Sequence, residues 1–156
     1  MLKDNLIKEL ETSYGFFLNT IDCLDEDDSN FSPKEGMFTV SQQVAHAAQT
    51  VDWFIDGAFI SNGFDLNFEK HTEEMKKTIS LKQAKDIFAK AVGNAKSVLE
   101  KLSDEELNKP LPEGPVMGGV PKIAIIGAMS DHSAHHRGAL AVYARLLGKE
   151  PKMPYG

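Results

Sequence analysis

The chain has 156 residues, 42% of them apolar and 26% charged, with a net charge of −6 and a pI near 5.3. Such values fit one globular domain over residues 1–156, long enough to bury a core without staples. They exclude the basic footprint of a nucleic-acid binder, because Lys and Arg are scattered among acids.

Cys23 is the only cysteine, which excludes an intrachain disulfide framework and a Cys-rich metal site. The opening MLKDNLIKEL interleaves charge with apolar residues, unlike a signal peptide, and no apolar run approaches the roughly 18 residues of a membrane span. The expectation is a cytoplasmic protein with neither nucleic acid nor membrane as partner.

The first helix is predicted from Leu2 to about Leu24, where Leu2, Leu6, Leu10, Phe17, Ile21 and Leu24 recur at helical spacing. The run Asp25-Glu26-Asp27-Asp28 ends it. It lacks the Gly and distal Glu of a calcium loop and reads as a solvated turn. Thr39 and Gln42 fit a capping box that starts a second helix, Val40 to about Ile60. Val44, Ala47, Ala48, Val51, Ile55 and Ala58 form one face of it. His46 lies on another, with Gln42, Gln49, Thr50, Trp53 and Gly57. Apolar or bulky residues on both faces predict an enclosed helix.

Residues 61–79 read as a long link. A third helix begins after Ser80, whose partner in a capping box is Gln83, and runs to about Leu102. Ser103 with Glu106 caps one further short turn. KPLPEGPVMGGVP, residues 109–121, is a loop by its Pro and Gly density. Pro121 suits the first position of a fourth helix, which runs to Leu147 with Gly148 as its stop. No internal repeat and no alternating strand pattern is present. The reading is an all-α four-helix bundle. The link is too long for a tight hairpin, and it allows helices two and three to run parallel.

In helix four, Ile125, Met129, His132, His136, Leu140 and Tyr143 follow three- and four-residue steps. His132 and His136 therefore share one inward face, one turn apart, as in helical zinc motifs. Ser133 stands where a zinc protease motif has its Glu, so that reaction lacks its base, and no Glu-x-x-His of a di-iron bundle occurs. The pair alone fits a satisfied core pair equally well. His46, mid-helix among polar and aromatic residues, adds the ligand that would complete an open three-histidine shell. His135, about 60° round from His132, reads as a supporting or helix-interface residue. His71 reads as solvated, and Asp131 and Arg137 as surface ion-pair partners. No residue is singled out as catalytic.

With His46 in helix two and His132-Ser133-Ala134-His135-His136-Arg137-Gly138-Ala139-Leu140 in helix four, the sequence resembles the DinB-like superfamily over nearly its whole length. The resemblance implies an up-down-down-up bundle holding one divalent ion on His46, His132 and His136. It also implies a homodimer, for which the apolar tail Pro151 to Tyr155, with Met153, offers a surface to bury. The wider superfamily includes transferases and isomerases that use low-molecular-weight thiols. One departure is Ala139, where the family often has Gln, which bears on whether a substrate is shared.

The leading expectation is a metal-dependent enzyme such as a thiol S-transferase, taking a small-molecule substrate and a thiol cosubstrate, with zinc or nickel as the ion. Hydrolysis by metal-activated water is the sibling expectation. A structural ion, or a metal- or ligand-binding bundle, is the non-enzymatic one. Gln42, Gln49, Trp53 and Tyr143 are the expected pocket residues.

Overall fold

The computed structural model describes residues 2–156. Among them there are six α-helices and no strands: α1 (Leu2–Ile21), α2 (Val40–Ile55), α3 (Phe68–Lys76), α4 (Leu81–Leu99), α5 (Asp104–Asn108) and α6 (Ile125–Leu146). No helix among the described residues is long and apolar enough to cross a membrane.

The long helices start where their caps direct. The Thr39 hydroxyl accepts from the Gln42 N–H while the Gln42 side-chain Oε1 accepts from the Thr39 N–H at 3.0 Å, a reciprocal box at the head of α2. Ser80 caps α4 by accepting from the Gln83 N–H at 3.2 Å, but Gln83 does not return the bond, so the expected box is half formed. Ser103 and Glu106 form the box that opens α5. α6 follows Pro121 and one 3-10 turn, Lys122–Ala124. It stops where Gly148 takes φ +75°, a left-handed conformation that glycine adopts without strain, and the Lys149 N–H closes back on the Ala144 carbonyl at 2.9 Å.

α2 packs against both α4 and α6, and α1 against both α6 and α4. Fully buried alanines, Ala47 and Ala48 on α2 with Ala84, Ala91 and Ala95 on α4, keep side-chain bulk low where these two helices meet. The α1–α4 contact is aromatic, with Phe88 edge-on to both Phe17 (5.0 Å) and Tyr14 (4.9 Å). At one end Lys3 donates to the Glu100 carbonyl, and further along Lys96 pairs with Glu11 at 2.7 Å.

Three stretches differ from the sequence expectation. The link after α2 is not featureless. Asn67 caps α3, which lays Phe68 and His71 beside α2. The last turn of the second predicted helix, Asp56–Ile60, widens into a π-turn. Gly57 is required there, because a Cβ would stand 2.3 Å from the Phe64 ring.

The acidic run is not simply solvated. Asp28 is buried at 7% exposure, and Lys149 donates to both Asp28 and Asp25. The Glu26 carboxylate accepts from the Lys82 N–H at 2.9 Å, and the Ser29 hydroxyl accepts from the Leu81 N–H at 2.8 Å. Together with Ser80 these groups satisfy the first amides of α4, whose partial positive charge favours the carboxylate. Ser29→Ala leaves the buried Leu81 N–H unpaired, and a loss of about 1–2 kcal/mol is expected in urea unfolding. A variant as stable as wild type would contradict this cap.

Candidate metal centre

α2 and α6 face each other through two stripes set by helical periodicity. On α2 the stripe is Gln43, His46, Thr50 and Trp53. On α6 it is Met129, His132, His136 and Tyr143. Gln43 meets His136 and Tyr143, while Thr50, further along α2, meets His132.

His46, His132 and His136 come together so that one nitrogen from each lies within 4.8 Å of the others. The ring centroids are 4.5 Å apart for His132–His136, 4.8 Å for His46–His136 and 5.1 Å for His46–His132. His136 is buried, and the other two are partly buried. The three form a group that can hold a metal ion.

The protonation of His136 follows from its neighbours. The Tyr143 hydroxyl donates to the Phe38 carbonyl at 3.0 Å and so must accept from the Gln43 Nε2 at 3.2 Å. That fixes the Gln43 amide with its oxygen toward His136, 2.5 Å from Nδ1. A carbonyl oxygen only accepts, so Nδ1 carries the proton and Nε2 keeps its lone pair. This Nε2 faces the Nε2 of His132 at 3.2 Å. Two nitrogens on one ion at roughly 2.0–2.1 Å each are separated by about 3.0–3.4 Å, so the spacing suits a shared ion as well as a shared proton. The His132 Nδ1 is the one buried side-chain nitrogen or oxygen among the described residues that has no hydrogen-bond partner.

Burial holds all three imidazoles below the ordinary histidine value of 6.5. His132 lies at about 4 and His136 at about 3, with repulsion from the neighbouring imidazoles adding to burial. His46 is also lowered by burial, opposed by hydrogen bonding to Gln49. The ligand set is therefore neutral at pH 7, the form in which imidazole binds metals. It also makes the metal-free protein acid-sensitive. Below pH 6.5 the unfolded chain takes up protons that in the folded site His132 refuses until about pH 4 and His136 until about pH 3. Urea midpoints of the metal-free protein are expected to fall steadily as pH drops across that window. A flat profile would contradict the buried, neutral site.

The cluster opens into a cavity of about 340 Å³. His46 and His132 lie on one side of it, Trp53, Phe54 and Phe68 form the aromatic wall, and Gln49, Thr50 and His71 complete the lining. A larger hollow of about 470 Å³ between α1 and α6 holds none of the three histidines.

Of the residues expected in a pocket, Gln49 and Trp53 line the cavity; Gln42 and Tyr143 do not. Gln42 is committed to the α2 cap, and Tyr143 sits behind His136, bonded to Gln43. His71, expected in solvent, is partly buried on the cavity wall, its Nε2 3.2 Å from the Asp65 carbonyl oxygen. His135 is exposed, its ring edge-on to His136 at 4.9 Å. Asp131 is exposed, and Arg137 lies over the Tyr155 ring; among the described residues neither forms an ion pair. Gln43 was missed. Its signal was present, since it stands three residues before His46 and so on the same side of α2.

A family model described as the DinB family matches residues 1–156, the whole chain. No curated protein matches it.

Proposed function

The chain belongs to the DinB family, and we propose that it is a divalent-metal-dependent enzyme of the thiol S-transferase type. In this reading His46, His132 and His136 hold one zinc or nickel ion. The observation that carries the proposal is a neutral three-imidazole cluster that opens on a half-open, aromatic-walled cavity rather than being sealed by a fourth side chain. The frame we infer is an up-down-down-up four-helix bundle of α1, α2, α4 and α6. Supporting it, Lys3 lies near Glu100 and Glu11 near Lys96, which runs α1 against α4, while Ser41 donates to the Thr78 carbonyl, bringing together the heads of α2 and α4.

A divalent ion held by His46, His132 and His136 would supply the acidity that makes a thiol or water a nucleophile at neutral pH. The chain's own residues prepare that step. His136 keeps its proton on Nδ1 because Gln43 accepts it, which leaves Nε2 free as a ligand. Thr50 donates to the His46 carbonyl at 3.0 Å and stands 3.5 Å from the His132 Nε2. Trp53, Phe54 and Phe68 give the approach to the histidines an apolar aromatic wall.

The test is turnover of thiol-reactive electrophiles by protein loaded with zinc or nickel, with and without a low-molecular-weight thiol. Metal-dependent consumption of the thiol supports transfer. Product formation with water alone moves the reading to hydrolysis. If neither occurs and chelation lowers the melting temperature steeply, the ion is structural. The same proposal places the protein in the cytoplasm as a homodimer. Val142 and Leu146 on α6 and Met153 and Tyr155 in the tail are exposed apolar side chains that a second copy could cover. Light scattering that finds only the 17.2 kDa species at micromolar concentration would count against the dimer.

A further inference from the structure

We infer that the cavity beside the three histidines binds the uncharged, aromatic or otherwise apolar body of a small-molecule substrate, and rejects bodies that carry a charge. This rests on the proposed function and names the substrate class for the same site. Three observations lead to it.

The first is composition. No Lys, Arg, Asp or Glu lines the cavity. Asp65 and Lys70 lie outside the lining and face each other at 3.9 Å, and Asp65 also stands 3.5 Å from the His71 Nε2, so the one wall imidazole beside a charge already faces a carboxylate. A charged group placed inside would lose its hydration and gain no counterion.

The second is that the polar groups on the wall are already engaged with the protein. Gln49 donates to the His71 carbonyl at 2.8 Å, Trp53 to the Asp65 carbonyl at 2.8 Å, and Thr50 to the His46 carbonyl. What these residues present inward is largely ring face and aliphatic stem. The remaining attraction for a polar atom is at the histidines, of which His46 and His132 line the cavity.

The third is size. A cavity of roughly 150 Å³ accepts benzene, and this one holds about 340 Å³. One substituted ring or a fused pair fits, with a donor or electrophilic atom directed at the histidines. A charged thiol cosubstrate would then keep its charged portion outside and extend only its sulfur inward.

The test uses the full chain and three probes that share one metal-binding head: acetohydroxamate, benzohydroxamate and 4-carboxybenzohydroxamate. Zinc binding is titrated first by calorimetry, so a failure of the metal reading is seen separately. The probes are then titrated into the zinc-loaded protein. Benzohydroxamate is expected to bind about 10-fold or more tighter than acetohydroxamate, by burial of its ring. The carboxylated probe is expected to lose that gain. Phe68→Ala, in an exposed ring at the cavity edge, should reduce the preference for the ring without unfolding the protein. A second arm needs no metal: benzyl alcohol and benzoate are titrated into metal-free protein and followed by the amide resonances of Phe68 and His71. Benzyl alcohol should shift them and benzoate should not. Equal binding of the first two hydroxamates, a gain from the carboxylate, or equal shifts from benzoate would each overturn the inference.

Discussion

His136→Ala is expected to lower zinc affinity by on the order of 100-fold or more, while circular dichroism at 20 °C stays close to wild type. The two halves of this result have separate causes. The ion loses a neutral nitrogen, and the remaining pair, His46 and His132, supplies only two ligands, one from each of two helices. The fold persists because its core is independent of the site: Phe17, Ile21, Phe88, Leu99, Ile125 and Leu140 are all buried away from solvent. The variant also removes the partner of the Gln43 carbonyl, so a modest drop in melting temperature accompanies it. Calorimetric titration with zinc, on protein made without an affinity tag, gives the affinity directly. Unchanged affinity in His136→Ala and in His132→Ala would remove the metal assignment altogether.

Gln43→Leu is expected to weaken zinc binding by about 10- to 100-fold although Gln43 is not a ligand. The leucine fills similar space but accepts nothing, so His136 loses the group that keeps its proton on Nδ1. The proton can then move to Nε2 and block that lone pair. Nitrogen chemical shifts of the His136 ring distinguish this from a structural defect. Wild type should show the Nδ1–H form, and the leucine variant a mixture of the two forms. Gln43→Glu retains an acceptor and should recover most of the affinity. Tyr143→Phe should have a smaller effect, because it frees the Gln43 amide to turn without removing its oxygen. Full affinity and an unaltered ring spectrum in Gln43→Leu would show that the amide holds nothing in place.

The parts of this structure legible in the sequence are those decided within a few residues. The boxes at Thr39 and Ser103 and the cap at Ser80 are local backbone chemistry, and they start α2, α5 and α4 where expected. The shared face of His132 and His136 is a property of any helix. What the sequence does not display are meetings of distant residues. Gln43 and His136 are 93 positions apart, and their contact exists only once α2 lies on α6. Lys149 reaches Asp28 across 121 positions, which is why an acidic run that looks solvated is in fact tied down. α3 has the least local signature of the helices. Its sequence FEKHTEEMK buries only Met75, so its place is set by Trp53 and Gln49 of α2, which bond to the Asp65 and His71 carbonyls.

Trp53 is the only tryptophan in the chain. Its indole stands on the cavity wall, within 4.8 Å of the Phe64 ring and 6.1 Å of the Phe68 ring, measured between centroids, and its N–H is held by the link before α3. The protein therefore contains an unlabelled optical gauge at one place only. Its ultraviolet emission, excited at the red edge where tyrosine is silent, comes from no other site in the molecule. Filling of the cavity and displacement of α3 both alter the polarity around that single indole, so a cuvette titration can follow either in real time without a dye or a second reporter to subtract.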